Sequence, residues 1–113
     1  MKLINATPHE INFIGDDNQV ILTIAPSDVL VRVSQQTTDV DSISIDDINI
    51  PVTDNVFGDV IGLPQQQDDT VIIVSAMVSN ACKTRTDLAL VNQSVRDDKG
   101  RIIGCRSLSF PNK

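Results

Sequence analysis

Aromatic side chains are almost absent from this chain, and their absence limits what its core can be. Only Phe13, Phe57 and Phe110 are aromatic, and there is no tryptophan or tyrosine. The hydrophobic content of 41% is ordinary for a globular protein, so the core has to consist mainly of isoleucine, valine and leucine. Side chains branched at Cβ pack well on a pleated sheet. We therefore expect a chain made mainly of strands.

The length of 113 residues is that of a single domain, spanning 1–113. A domain of this size has a modest core, which an interface between copies would extend. The N-terminal segment MKLINATPHEINFI is interrupted by polar residues, unlike a secretory signal peptide or a membrane-spanning segment. We expect the protein to stay in the cytoplasm of the cell that makes it.

Short apolar runs separated by turn signals predict many short strands. The runs at 11–14 and 20–25 flank the turn signal G-D-D-N-Q and predict a hairpin. The runs at 42–45 and 48–52 flank two aspartates and predict another. Further strands are predicted at 29–33, 55–64 and 70–74, before Arg96, and at 101–106.

One segment, residues 75–83, has the pattern of a helix. Ser75 can cap its start, and apolar residues then recur at helical spacing. Pro51 cannot donate to a ladder and places its own strand at an edge or an end. The expected fold class is α+β: a mainly antiparallel sheet of short strands with one main helix near 75–83.

Charge is distributed unevenly along the chain. The net charge is −6, but residues 1–69 carry twelve acids and two bases, whereas residues 70–113 carry three acids and seven bases. Two interpretations stay open: two differently solvated faces, or an anion site in the C-terminal third. An acidic chain argues against general nucleic-acid binding, which needs a basic stripe. Six of these bases are closely spaced: Lys83, Arg85, Arg96, Lys99, Arg101 and Arg106.

Pairs of adjacent aspartates are the main candidates for acid/base or magnesium chemistry. They occupy positions 16–17, 46–47, 68–69 and 97–98. The first three pairs lie in predicted turns and loops, where aspartate is favoured for its bond to the backbone, so we assign them structural roles. The last pair also lies in a turn, but between Arg96 and Arg101, and its role stays open.

Other catalytic signals are weak. Cys82, Cys105 and His9 do not suffice for a four-ligand zinc site, and we expect the thiols to be buried. His9 follows Thr7-Pro8 without a nearby nucleophile motif, and we favour a structural role. The phosphate-binding loop, the nucleophile elbow and the zinc-protease helix motif are all missing. We expect no enzyme, no cofactor and no catalytic or metal-binding residue.

Arg32 is the one base besides Lys2 in the acidic part of the chain. If its neighbours Val31 and Val33 face the core, the guanidinium faces the opposite side of the strand. Arginine suits bidentate contact with phosphate. Pairing with one of the many aspartates is the blander alternative, and the residues alone favour it.

Six segments together resemble one family of small phage and prophage proteins, the first Thoeris anti-defence family. The resemblance spans nearly the whole chain and is most specific in the last segment, followed by T-P-H-E. The segments are T-P-H-E-I-N-F (7–13), I-A-P-S-D-V-L-V-R-V (24–33), F-G-D-V-I-G-L-P (57–64), I-I-V-S-A-M-V-S-N-A (72–81), R-T-D-L (85–88) and V-R-D-D-K-G-R-I-I-G-C-R-S-L (95–108).

The resemblance implies a sponge for a nucleotide signal. Such proteins bind a cyclic ADP-ribose isomer made by a TIR-domain defence enzyme, do not cleave it, and so keep the effector inactive. Some members also hold cyclic oligonucleotides at a separate site. The implied assembly is a homodimer or a higher homo-oligomer, with no membrane and no nucleic-acid polymer as partner.

The resemblance also implies ligand-binding residues. By motif position they are Arg32, Arg96 and Asp97, with Asn80 in the helix as a further candidate. The resemblance implies an aromatic residue where this chain has Ile72. Either Phe57, Phe13 or an arginine plane therefore stacks on the base, or this chain has a weaker or altered choice of ligand.

Two other functions remain open from the sequence. A small acidic chain rich in strands also suits a phage virion or assembly protein, either an adaptor or a decoration protein. A phosphodiesterase that uses the aspartate pairs with Mg²⁺ is the third hypothesis, and we rank it last because the pairs look like turn residues.

Overall fold

The structure is a computed structural model that describes the backbone of residues 1–113 and every side chain except that of Phe57. It contains a six-stranded sheet, a separate two-stranded ribbon and one short helix. In chain order the elements are β1 (Lys2–Asn5), β2 (Ile11–Ile14), β3 (Val20–Ile24), β4 (Arg32–Ile45), β5 (Ile48–Ile61), β6 (Thr70–Ile73), α1 (Ala76–Ala81), β7 (Leu88–Arg96) and β8 (Ile102–Ser109).

The large sheet has the strand order β1-β6-β7-β8-β2-β3. Its hairpins β2–β3 and β7–β8 are antiparallel, whereas β1–β6, β6–β7 and the single contact between β2 and β8 are parallel. Most paired residues in the chain are antiparallel, so the predicted α+β class with a mainly antiparallel sheet is confirmed. The parallel pairs surround β6, whose residues 71–73 are all buried, as is typical of parallel strands covered on both faces.

The core consists of two clusters on opposite faces of the central strands. Ile72 and Leu88 belong to a cluster that α1 and the base of the ribbon cover. Ile73 and Ala89 belong to the other cluster, against which Phe110 from the C-terminal end packs. Successive residues of a strand point to opposite faces, which is why neighbours enter different clusters.

Side-chain hydrogen bonds cap both ends of helix α1. The Ser75 hydroxyl accepts a hydrogen bond from the Val78 N–H at 3.4 Å, as predicted for the cap. At the other end the Asn112 amide donates to the carbonyls of Ser79 and Cys82, both at 3.0 Å. The same two carbonyls also accept the backbone N–H groups of Cys82 and Arg85, at 3.2 and 3.0 Å respectively, so the Asn112 bonds reinforce this end of the helix. The predicted helix at 75–83 is confirmed with slightly shorter bounds.

The ribbon β4–β5 is longer than the sequence predicts. Each strand has 14 residues, and the predicted turn at Asp46-Asp47 joins them with positive φ angles of 51° and 66°, as a two-residue hairpin turn requires. The middle of β4 has polar residues on both faces, so the sequence there lacks the alternation of apolar and polar residues that predicts a strand. The predicted strand at 29–33 begins only at Arg32, because the Ser27 hydroxyl bonds to the Asn5 carbonyl and holds the preceding segment against β1.

Only the base of the ribbon packs on the sheet. Val33 and Val60 contact the core, but every described side chain in residues 34–59 is exposed. We call residues 34–59 the arm. Twelve residues of extended strand make it about 40 Å long. Within the described part of the chain, the six-residue α1 is far too short to cross a membrane, and no other helix occurs.

Candidate functional site

A cavity of about 890 Å³ opens between the β7–β8 hairpin and the T-P-H-E loop, residues 7–10. Its volume lies within the range of about 300–1,000 Å³ typical of small-molecule sites. The wall is formed by residues 7–12 and 74–76, by Leu90, Val91 and Ser94 of β7, and by residues 102–105 of β8. Most of this wall is aliphatic, and a few polar groups stand around it.

The cavity exists because β2 and β8 touch at one point and then diverge. Their single paired position is Phe13 with Cys105. Beside it, a Cβ on Gly104 would lie 2.6 Å from the Asn12 carbonyl oxygen and 2.7 Å from Ile14 Cδ1, so only glycine allows the strands to approach. The Asn12 amide also donates to the Ile103 carbonyl at 3.3 Å. From this contact the strands separate and leave a wedge.

The buried side chain of Asn5 holds the T-P-H-E loop in place. Its amide group donates to the His9 carbonyl at 2.8 Å and to the Ile24 carbonyl at 3.2 Å. Its oxygen accepts bonds from the Thr7 N–H at 3.0 Å and the Thr7 hydroxyl at 2.6 Å. Thr7 therefore has a structural role, while the exposed His9 forms part of the cavity wall.

Arg96 does not line this cavity, but it lies close to the lining residues in β7 and β8. It lies two residues after Ser94, on the same face of β7, and it pairs with Ile102 of β8. Both Ser94 and Ile102 line the cavity. The guanidinium is exposed and donates one bond to the Gly100 carbonyl at 2.7 Å. No other hydrogen bond of its side chain is found among the described residues, so most of its donors can receive a ligand.

Asp97 is engaged within the β7–β8 turn. Its carboxylate accepts the backbone N–H groups of Arg101 and Lys99, each at 2.9 Å, and the Arg101 Nε at 3.0 Å. The backbone bond from Arg101 is the main cause that lowers the pKa of Asp97. Of the two aspartates whose role the sequence left open, Asp97 therefore has a structural role, since it organises the turn that carries Arg96.

The other predicted ligand-binding residues lie elsewhere in the chain. Arg32 is exposed at the base of the ribbon, opposite Val31 and Val33, whose side chains pack on the core as predicted. The core cluster that Val31 and Val33 join also includes Leu90 of β7. Along β7, Leu90 and Arg96 are separated by six residues of extended strand, or about 20 Å. Asn80 is exposed on α1. None of the predicted ligand-binding residues Arg32, Asn80, Arg96 and Asp97 lines the cavity, and the side chain of Phe57 lies outside the described residues.

Two members of the basic set hold the fold together. The Arg85 guanidinium donates to the Asp87 carboxylate at 2.8 and 2.9 Å and to the Pro64 carbonyl at 2.8 Å. This bond to Arg85 lowers the pKa of the buried Asp87. Arg106 donates to the Gly15 carbonyl at 2.6 Å and thereby holds the β2–β3 turn. If the C-terminal third has an anion site, the turn around Arg96 is therefore its best candidate.

Position 72, where the resemblance implies a stacking aromatic residue, is a core position in this chain. Ile72 is 1% exposed and belongs to the core, so it cannot contact a ligand. Cys105 is buried as predicted, and burial raises the pKa of its thiol, whereas Cys82 is only half-buried. Among the described residues, no group of three or more histidine, cysteine, aspartate or glutamate side chains could hold a metal ion.

The sequence analysis did not predict the aliphatic wall of the cavity, because Val91, Ile102 and Ile103 look like ordinary strand residues. The feature that brings two of them to the cavity is a bulge in the pairing of β7 with β8. Arg96 pairs with Ile102, whereas Val95 pairs with Gly104, so Ile103 is the extra residue. Two neighbouring bulge residues can project to one side, and here both isoleucines reach the cavity.

Comparisons of the chain with protein-family models, with curated proteins and with solved structures give no match.

Proposed function

We propose that this protein binds a cyclic ADP-ribose isomer in the cavity and sequesters it without cleaving it. In the cytoplasm of an infected bacterium, such a sponge would keep the signal of a TIR-domain defence enzyme from its effector. The observation that supports the proposal best is a cavity with a mainly aliphatic wall, followed two residues after its lining residue Ser94 by the exposed Arg96.

The wall of the cavity suits an adenine base with its ribose. Val91, Ile102 and Ile103 offer an aliphatic surface to a planar ring, since such sites are lined mainly by apolar side chains. Asn12 and Ser94 supply polar groups of the kind that bind hydroxyls or base edges. This arrangement replaces the aromatic stacking that the resemblance implies.

The pyrophosphate would bind at the turn. An arginine side chain presents a planar fork that matches phosphate oxygens. Of the two acids that follow Arg96 in the turn, Asp97 is already hydrogen bonded to the turn, which reduces its repulsion of an incoming anion, and Asp98 is exposed to solvent. A ligand lying in the cavity and extending to the turn would thus meet apolar groups first and Arg96 beyond them, on the side of the cavity that Glu10 does not occupy in the T-P-H-E loop.

Sequestration requires affinity and slow release, and transition-state complementarity adds nothing to it. The one thiol on the cavity wall, Cys105, is buried and has a raised pKa, which makes it a poor nucleophile at neutral pH. We therefore expect the ligand to leave the protein chemically intact.

A retention assay tests the proposal directly. The chain has no tryptophan or tyrosine, so its own ultraviolet absorbance is very low and bound adenine dominates the spectrum. After mixing with a panel of cyclic ADP-ribose isomers and cyclic oligonucleotides and removing unbound ligand, we expect one isomer to stay with the protein. Heating should release it with unchanged mass. If no member of the panel is retained, or if the released compound is hydrolysed, the proposal is wrong.

The arm supports a second candidate function. A projecting ribbon of 14-residue strands with exposed aliphatic side chains is a feature that a phage assembly adaptor or decoration protein would use to attach to a larger particle. Mass spectrometry of purified virions separates the two candidates. An adaptor or decoration protein copurifies with the particles, whereas a sponge is absent from them.

A further inference from the structure

The outer half of the arm has one aliphatic face. The two strands pair Ile43 with Ile50 and Ile45 with Ile48, and cross-strand pairs share a face. Val52 lies two residues after Ile50 in β5 and therefore joins them. We call these five side chains the aliphatic face. They extend about 13 Å along the ribbon. Their exposure runs from 37% at Val52 to 64% at Ile48.

Carboxylates lie at both ends of this face. Asp46 and Asp47 form the turn at its outer end. At its inner end Asp41 pairs with Val52, and Asp54 lies two residues after Val52 on the same face. All four are exposed, and none forms an ion pair within the part of the chain that the structure describes. An apolar centre with a polar, solvated rim is the usual arrangement of a protein–protein interface.

The net charge of the chain is concentrated on the arm. Residues 34–59 contain six aspartates and no lysine, arginine or histidine. The rest of the chain contains nine acids and nine bases and is therefore formally neutral. The whole net charge of −6 thus lies on a projecting ribbon about 40 Å long. A field of this kind attracts a basic surface and steers its approach.

We propose that the aliphatic face docks a partner protein whose surface presents an apolar patch ringed by lysine or arginine. An isolated two-stranded hairpin is at best marginally stable in water, because it buries too little to offset the entropy of ordering its residues. The partner's apolar patch supplies the burial that the arm lacks, and its basic rim fixes the orientation of the contact. This interaction goes beyond the sequestration of a nucleotide and does not depend on the cavity.

Charge argues against other occupants of the face. A second copy stacked on it would bring the carboxylates of both rims into one interface. Nucleic acids and anionic membranes carry the same sign of charge as the arm. The edges of the ribbon are also unsuited to the addition of a strand, because Pro51 lacks a backbone donor and a bulge at Val40 interrupts β4. The face therefore remains the surface that a basic protein can cover.

A helical peptide with a stripe of leucines flanked by lysines, and with one tryptophan, is a defined probe for this interaction. The chain has no tryptophan, so the fluorescence of the peptide reports binding directly. Because the face is small, we expect a dissociation constant on the order of micromolar. Replacing the leucines by glutamine or the lysines by glutamate should weaken binding about 10-fold or more. The proposal is overturned if the peptide does not bind, or if it binds no better than its glutamine version.

Charge variants with a matched control locate the rim. Asp46→Asn/Asp47→Asn should weaken binding of the leucine–lysine peptide by about 5-fold, as expected for two exposed ion pairs. Asparagine tolerates the positive φ angles of this turn, so the hairpin should persist. Asp16→Asn/Asp17→Asn removes the same charge from the β2–β3 turn and should leave binding unchanged. Equal effects of the two changes would show that the peptide senses net charge alone, which contradicts the proposal.

A second pair of variants tests the apolar centre. Ile43→Ser/Ile50→Ser should weaken peptide binding about 10-fold or more, since it removes one complete cross-strand pair from the face. Ile21→Ser/Leu30→Ser is the control, because both side chains are exposed and lie outside the arm. Peptide binding that responds equally to both double variants would rule out the aliphatic face as the docking surface.

A methyl spectrum of the native chain tests the location without any variant. In protein with isotope-labelled isoleucine methyl groups, the leucine–lysine peptide should shift Ile43, Ile45, Ile48 and Ile50 and leave Ile102 unchanged. Shifts of the arm methyls that depend on protein concentration without peptide would assign the face to a second copy. Shifts with phosphatidylcholine vesicles would assign it to a lipid surface, and either result overturns the proposal. No nucleotide is present in these samples, so failure of the proposed function would leave the result interpretable.

Discussion

At the scale of single residues, the four arginines of the C-terminal third fall into two groups. Arg85 and Arg106 bond to backbone carbonyls of distant segments, whereas Arg96 and Arg101 bond only within the β7–β8 turn, to Gly100 and Asp97. Sequence spacing alone could not separate these groups, because clustered bases look alike until the fold shows which carbonyls they reach.

Arg96→Ala should weaken ligand retention by about 10-fold or more, as expected for a lost charged hydrogen bond. Its exposed side chain makes one bond to a turn, so the melting temperature should change little. Arg106→Ala is the matched control, since it frees the β2–β3 turn and should lower the melting temperature without changing retention. If Arg96→Ala loses stability and retention together, Arg96 is a structural residue.

Asp87→Asn should cost about 2–3 kcal/mol in the free energy of unfolding at neutral pH. The substitution breaks a charged bond to Arg85, and the cost stays below that of a fully buried pair because the guanidinium is partly exposed. Denaturant titration measures it, with Asp16→Asn in an exposed turn as the control.

The pH dependence of this effect has a defined sign. The pKa of Asp87 is lowered in the folded chain, so its contribution is present above the unfolded pKa of about 3.9 and is lost as the pH falls through the folded pKa. The difference between native chain and variant should therefore shrink in acid. A difference that is constant from neutral to strongly acidic pH would show that the ion pair contributes nothing.

At the scale of elements, the turns and the helix cap could be predicted from the sequence, whereas the pairing of strands within the sheet could not. The Asp46-Asp47 turn and the Ser75 cap follow from local chemistry. The parallel pairing of β1 with β6 depends on residues far apart in the chain, and β1 is too short to produce a pattern of its own. The cavity depends on such a junction, where β2 meets β8, so the T-P-H-E segment was the part of its wall that the sequence had singled out.

Gly104→Ala should disrupt that junction. Its Cβ would collide with backbone and core atoms of β2, and we expect a loss of about 2–3 kcal/mol in unfolding free energy together with weaker retention. Gly100→Ala is the contrast. It has a positive φ of 80° but no atom within 4 Å, so only about 1 kcal/mol should be lost. Equal costs for the two changes would show that β2 does not depend on close contact.

At the scale of the whole molecule, two apolar surfaces are open to solvent, the cavity wall and the aliphatic face of the arm. Composition predicted an aliphatic chain, but it could not tell which isoleucines would be buried, because exposed and buried isoleucines have the same local pattern. We assign the first surface to a small ligand. Isoleucine side chains lie on both surfaces, so one spectroscopic measurement can show which surface the ligand contacts.

That measurement is a ligand titration followed through isotope-labelled isoleucine methyl groups. With the retained cyclic ADP-ribose isomer, we predict large shifts at Ile11, Ile102 and Ile103 around the cavity and none at Ile43 or Ile50 on the arm. Shifts confined to the arm, or no shifts at a saturating concentration of ligand, would contradict the assignment of the cavity as the binding site.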